Sequence, residues 1–276
     1  TAADHFGAIK ARWAIGRMRY MVDPGLYAVG SPGADSPVFV SANYKLSFDR
    51  LRSELGGIDG WILVLDTRGI NVWCAAGKGT FGTEELVHRI EATNLVDLVA
   101  HHTLIVPQLG APGVAAHEVC QRCGFRVLNG PVRARDIPEY LRNGMKATPS
   151  MRRIEFPLRD RLAVVPVEIV LSARWGFLVA AILFLLSGVS HRGFSLTTMR
   201  AEGIPHALLI LGALFGGTVL TPALLPWLPG RSLAVKGFWM GLAVLLGFAA
   251  WPAGRDACFH PAASLLGWVC SVSAMS

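Results

Sequence analysis

Asn71-Val72-Trp73-Cys74-Ala75-Ala76-Gly77-Lys78-Gly79-Thr80 follows closely on Trp61-Ile62-Leu63-Val64-Leu65-Asp66. The earlier run is short and almost wholly apolar, the pattern of a buried strand. The later one places a cysteine, flanked by a tryptophan and small residues, just beyond the strand end, where open α/β sheets bind their ligands. Asn71 is a good helix N-cap, and a short helix starting there puts Cys74 in its first turn, where the dipole favours thiolate. Ala75, Ala76 and Gly77 would let a bulky planar ligand approach the backbone. Cys74 is therefore a candidate functional cysteine, reactive or metal-binding, set against the usual fate of a free cysteine as a small buried hydrophobe.

Gly77-Lys78-Gly79-Thr80 invites comparison with a phosphate-binding loop. That loop needs four residues between its first glycine and the Gly-Lys pair, and Ser or Thr directly after the lysine. Val72 stands at the first position and Gly79 at the second, so the stretch is not a nucleotide site.

Outward from this stretch, strands and helices alternate. Residues 4–22 read as one helix with Phe6, Ile9, Trp13, Ile15 and Met18 as its apolar stripe, ended by Pro24-Gly25. Residues 26–29 and 38–40 are strand-like, separated by a turn-rich segment. Ser47 is the expected N-cap of a helix to about Leu55. Thr83, followed by Glu84 and Glu85, caps another to about Ala92. Residues 104–106 form the next strand, residues 114–123 a helix stopped by Gly124, and residues 125–128 the last strand. The expected fold class is an α/β, Rossmann-like sheet with flanking helices, followed by an all-α transmembrane domain.

Composition supports that division. Mean hydropathy is +0.43 and only 16% of residues are charged, too apolar for a purely soluble chain. The excess lies after about Arg174. The expected layout is residues 1–150 as a cytoplasmic domain, 151–174 as a basic juxtamembrane linker and 175–276 as transmembrane helices. Four apolar stretches are visible, over 175–189, 204–225, 233–251 and from about Cys258 to the last residue. Gly212, Gly216 and Gly241 would permit close helix packing, and Lys236 would snorkel. The net charge of +7 is concentrated at Arg152, Arg153, Arg159, Arg161 and Arg174. That position fits the positive-inside rule and anionic lipid headgroups, with no motif for nucleic acid. The soluble portion is thus expected on the cytoplasmic side of a multi-pass inner-membrane protein. No secretory signal pattern opens the chain. Five cysteines at irregular spacing (Cys74, Cys120, Cys123, Cys258 and Cys270) do not form a disulfide framework.

The run Asn71 to Lys78 closely resembles the signature of the HgcA family, the corrinoid proteins of microbial mercury methylation. The resemblance extends to residues 25–30, 41–48 and 130–134, and to the apolar C-terminal stretches. It implies a corrinoid domain related to that of the corrinoid iron–sulfur protein, holding cobalamin or a related corrinoid base-off. Cys74 would be the lower axial cobalt ligand and the catalytic residue. Asn71, Val72, Trp73, Ala75, Ala76, Gly77, Lys78 and Thr80 would surround the cofactor. Asn43 and Thr67, at neighbouring strand ends, are further candidates for contact with it, Asp66-Thr67 reading equally well as a turn. The implied reaction passes a methyl group from a methyl-folate-linked donor to Hg(II), forming methylmercury. A thiolate is a strong electron donor and, trans to methyl, pushes density toward the departing carbon. The chain lacks the four cysteines of an iron–sulfur cluster, so electrons must come from elsewhere. The resemblance supplies a ferredoxin-like iron–sulfur partner, HgcB.

His117, Cys120 and Cys123 share one face of a predicted helix. They read as a partly buried helix face with incidental thiols rather than a metal or redox site. His101-His102 mark a helix end entering a strand. Ser41–Tyr44 and Gln108–Ala111 follow predicted strands and are candidates for the corrinoid's edge. Two other functions compete: a corrinoid methyl carrier with a different acceptor, and a membrane metal transporter with a cytoplasmic domain. The second is disfavoured because the apolar stretches carry few ionisable groups.

Overall fold

A computed structural model describes residues 2–190 and 193–251. The fourth apolar stretch, with Cys258 and Cys270, lies outside the described residues. The chain forms two compact units, one comprising residues 1–11 and 15–155, the other 12–14 and 156–276.

The first unit holds a five-stranded sheet. In chain order its elements are α1 (Ala2–Arg12), β1 (Gly25–Val29), β2 (Val38–Ala42), α2 (Lys45–Glu54), β3 (Gly60–Leu65), α3 (Val72–Lys78), α4 (Thr83–Ala92), α5 (Leu95–Leu98), β4 (Thr103–Val106), α6 (Ala116–Cys123), β5 (Arg126–Asn129) and α7 (Ile137–Arg142). The strand order is β1-β3-β2-β4-β5. β1 runs antiparallel to β3, whereas β3, β2, β4 and β5 are mutually parallel. The sheet is therefore mixed: the short connection over residues 30–37 joins β1 to β2, which run in opposite directions on either side of β3.

Period-two alternation splits the strand residues between two cores. Leu63 and Leu65 of β3 and Val38, Val40 and Ala42 of β2 join Leu86, Val87, Ile90, Leu95, Val119 and Phe125 on one face. Ile62, Val64, Phe39 and Ile105 join Phe48, Leu55, Ile137, Tyr140 and Met151 on the other. Both faces are covered by helices, as parallel strands require.

Several predicted boundaries shift. The helix expected over residues 4–22 ends at Arg12, because Ala14 and Gly16 adopt left-handed backbone conformations at φ 58° and 63°. The chain doubles back there, and the Tyr20 ring packs on Gly7 while its hydroxyl donates to the Asp4 carbonyl at 3.2 Å. Ser47 lies inside the first turn of α2, whose N-cap is Tyr44. Gly82, not Thr83, caps α4; the Thr83 hydroxyl instead accepts the Ala115 N–H at 2.8 Å. Lys45 ties α1 to α2 through Asp4 and Asp49, each 2.7 Å from its ammonium.

The second unit contains α8 (Leu158–Leu162), α9 (Val165–Leu186), α10 (Leu196–Phe215), a π-helical turn over Gly216–Leu220, α11 (Thr221–Leu224) and α12 (Leu233–Ala250). Three helical segments, Leu158–Leu186, Leu196–Leu224 and Leu233–Ala250, are long and apolar enough to cross a membrane. Their starts correct the sequence reading. α9 begins ten residues before Trp175, within the stretch read as a linker, with Pro166 in its first turn. Its 22 residues reach about 33 Å at 1.5 Å per residue, so Glu168 and Arg174 lie on the apolar helix itself. Gly203 lets α10 approach the Phe184 backbone of α9, and Gly216 rests on Val244 and Met240 of α12. Lys236 donates to the Leu225 carbonyl rather than reaching away from the helix.

Candidate functional site

The parallel strands reverse order between β2 and β4, so the chain leaves adjacent carboxyl ends toward opposite faces. Ligands of open α/β sheets bind in the crevice that such a switch point opens. α3 sits across this edge. Its inward residues Ala75 and Ala76 share a core with Ala42, Leu65 and Val106, the last residues of β2, β3 and β4.

The support beneath α3 is built from small residues. A side chain on Gly113 would collide with the Phe81 carbonyl and with Ala76, and one on Gly110 with the Phe81 ring. Gln108–Gly113 forms a 3₁₀ segment under α3, so the candidate corrinoid-edge residues 108–111 pack against the ligand helix. Gly79, at φ 79°, ends α3 in the left-handed region that favours glycine.

Asn71 caps the helix as expected, its Oδ1 accepting the Cys74 N–H at 2.9 Å. Trp73 and Cys74 stand out from the surface, the indole 64% exposed. Gly77 and Lys78 share the outward side, and nothing lies within 4 Å of a Cβ placed on Gly77. Ala75 and Ala76 point the other way. Of the three small residues expected to admit a planar ligand, only Gly77 faces open space, and the alanines are small in order to pack. Val72 is half-buried and lines a groove, while Thr80 turns its hydroxyl toward the Ala75 carbonyl.

Asn43 and Thr67 are buried and occupied. Asn43 Oδ1 accepts the N–H groups of Thr67 at 3.1 Å and Gly69 at 2.9 Å, and its amide nitrogen donates to Asp66 at 3.1 Å. The Thr67 hydroxyl lies 2.9 Å from Asn43 Oδ1 and 2.7 Å from the Ile70 carbonyl, and donates to one at a time. Both residues were expected to meet a cofactor; instead they hold residues 66–70, the loop that delivers α3. That loop needs holding, since Arg68 and Gly69 have φ of 56° and 70°. Glu85 accepts the Asp66 N–H at 2.8 Å and is paired with Arg89, fixing the loop's other side.

Behind α3, on the opposite sheet face, lies a groove of about 170 Å³. Ser41, Ile105, Ser47, Arg50, Val132 and Ile137 line it with Val72. Ser41 was among the sequence candidates. Arg50 and the 130–137 segment were not, because only the strand order places α2 and the end of β5 beside the same crevice.

His117, Cys120 and Cys123 are not brought together as a metal set, and among the described residues no cluster of three or more His, Cys, Asp and Glu side chains could hold an ion. Cys120 is exposed, whereas Cys123 donates to the Val119 carbonyl at 3.0 Å. Burial pushes the Cys123 thiol up from its ordinary value. Less thiolate forms there near neutral pH, so iodoacetamide should modify Cys123 more slowly than the exposed Cys74 and Cys120. Peptide mass spectrometry over a time course checks the order. His101 and His102 stand where expected, between α5 and β4, with His101 Nε2 2.9 Å from the Ser36 carbonyl.

A family model described as CO dehydrogenase/acetyl-CoA synthase delta subunit matches residues 15–141. The chain is 37% identical over 127 residues to the acetyl-CoA decarbonylase/synthase complex subunit gamma of Archaeoglobus fulgidus, an overlap covering 45% of this chain and 27% of that protein. It is 34% identical over 122 residues to the subunits gamma of Methanopyrus kandleri and Methanothermobacter thermautotrophicus, covering 44% of this chain and 26% of each. The chain thus spans about a quarter of the length of these relatives. The family match contains β1 to β5 and stops before the apolar helices. These relatives are related to the mercury-methylating proteins whose signature Asn71–Lys78 resembles, but are not the same.

Proposed function

We propose that the α/β unit is a corrinoid-binding methyl carrier in which Cys74 is the lower axial ligand to cobalt. The observation that carries the reading is an exposed cysteine on a short, firmly capped helix lying across the sheet's switch point. The family match over the sheet and the resemblance of Asn71–Lys78 to a corrinoid signature both support it.

The residues fit the group. The groove is smaller than the roughly 300–1,000 Å³ of small-molecule pockets. A corrin macrocycle would not fit in it; the residues that would hold such a group are Cys74, Trp73 and Gly77 on the open side of α3. A bound corrinoid would supply the methyl-carrying cobalt, and the thiolate that holds and donates to the metal would be Cys74. Asn71 fixes the direction of its backbone, Trp73 offers a flat apolar wall beside it, and Gly77 leaves the approach clear. Ala75 and Ala76 act from below, setting the height of α3 above the sheet.

The acceptor we propose is Hg(II), on the strength of the eight-residue signature. A soft, thiophilic cation suits an electron-rich departing methyl. A corrinoid methyl carrier with another acceptor is the second reading, favoured by relatives that bear the name acetyl-CoA decarbonylase/synthase. The methyl-folate-linked donor and the ferredoxin-like reductant HgcB follow from the same resemblance. Arg152 and Arg153, just before the first apolar segment, support a membrane-anchored protein with this unit on the cytoplasmic side.

The test is the optical spectrum of the protein purified with its corrinoid. One equivalent of base-off corrinoid is expected, with bands that shift when Cys74 is replaced by alanine. A spectrum indifferent to Cys74 would refute cobalt ligation, and a preparation that never takes up corrinoid would refute the carrier reading altogether.

A further inference from the structure

The first helix wears its hydrophobicity inside out. The face of α1 turned to the protein carries its small side chains: Gly7 lies against the Tyr20 ring, and Ala11 is fully buried. Phe6, Ile9 and Trp13, at i, i+3 and i+7, point away and are 60%, 55% and 45% exposed. Ile15 and Met18, just after the helix, continue the surface at 61% and 63%. The apolar stripe read from the sequence is therefore this segment's outer face. A run of large apolar side chains left in water marks an interaction surface.

Its charge selects the partner. Residues 1–22 contain a single acid, Asp4, which is ion-paired with Lys45. Lys10, Arg12 and Arg19 are exposed around the stripe, and the Lys10 ammonium sits 4.5 Å from the Phe6 ring centre. Aromatic and aliphatic residues flanked by unopposed cations, with a tryptophan among them, are the make-up of a segment lying in the headgroup layer of an anionic membrane. We propose that the surface formed by Phe6, Ile9, Ile15 and Met18 inserts shallowly into an anionic bilayer, with Trp13, the residue that follows α1, as its reporter. The inference rests on the reading of the apolar helices as membrane spans, since a chain anchored by them meets lipid at high effective concentration.

The full chain, reconstituted in phosphatidylglycerol–phosphatidylethanolamine vesicles with brominated acyl chains, tests this. The fluorescence of Trp13 is taken as the difference between the unmodified chain and Trp13→Phe, and that of Trp175, on α9, as the difference from Trp175→Phe. Brominated lipid should remove roughly half or more of both signals, as expected for indoles at acyl-chain depth. Replacing Lys10, Arg12 and Arg19 by glutamine, or the vesicles by pure phosphatidylcholine, should restore the Trp13 signal alone. Quenching of Trp175 with Trp13 untouched overturns the proposal and hands the stripe to a protein partner. Equal Trp13 quenching in phosphatidylcholine overturns the anionic preference. If neither indole is quenched, the membrane reading itself falls.

Discussion

Replacing Cys74 by alanine is expected to lower methylmercury formation at least about 100-fold without unfolding the protein. Changes to groups that merely orient a metal ligand cost 10–100-fold, so loss of the ligand itself belongs at or beyond the upper end. The fold should tolerate the change because the thiol is exposed and the cap on α3 uses the Cys74 backbone N–H, which alanine keeps. Urea unfolding should therefore be nearly unchanged while methyl transfer disappears. The comparison is the double replacement Cys120→Ser, Cys123→Ser, which should retain the activity. Full mercury methylation by Cys74→Ala would remove the thiol from the mechanism. Retained corrinoid and methyl uptake without mercury turnover in the unmodified chain would instead favour the different-acceptor reading.

The second large effect is on stability. Asn43→Ala removes one acceptor shared by the buried N–H groups of Thr67 and Gly69 and the donor to Asp66. Leaving two buried donors unpaired should cost about 2–4 kcal/mol, read as a lower urea midpoint. Asn43→Asp separates the contributions: it keeps an acceptor for both N–H groups but sets a carboxylate against Asp66. Its loss should be smaller at low pH, where one of the two acids takes up a proton, and larger at neutral pH. If Asn43→Ala unfolds at the same urea concentration as the unmodified chain, the loop is held by something other than this amide.

Much of the fold was legible. Gly124 as a helix stop, Asn71 as a cap and the strand at residues 61–65 are local signals, written in residue types whose backbone preferences act within a few positions. What escaped depended on distance along the chain. Asn43 and Thr67 sit at strand ends beside the site, where a polar side chain reads equally well as a ligand contact or a loop clamp; only the placement of residues 66–70 around Asn43 decides between them. Ala75 and Ala76 read as small residues near a ligand, yet both pack into the core and the smallness of Ala76 answers Gly113 underneath. The stripe of α1 showed its period but not its direction, because periodicity identifies a face and cannot say what meets it. Arg50 carried no signal at all, since its place at the groove follows from strand order.

The seven-residue length of α3 has a consequence for how the protein matures. Helices shorter than about 12–15 residues are marginal on their own. The Asn43 contacts that steady this one join residues 24 and 26 positions apart. They can close only after β2 and β3 have paired across an intervening helix, the kind of long-range parallel contact that forms slowly. The nascent chain therefore has no settled α3 while its first strands are emerging. On the proposed function, corrinoid loading belongs after folding, as a separate step on a finished domain, and protein made in cells starved of corrinoid should still accept it when it is supplied later.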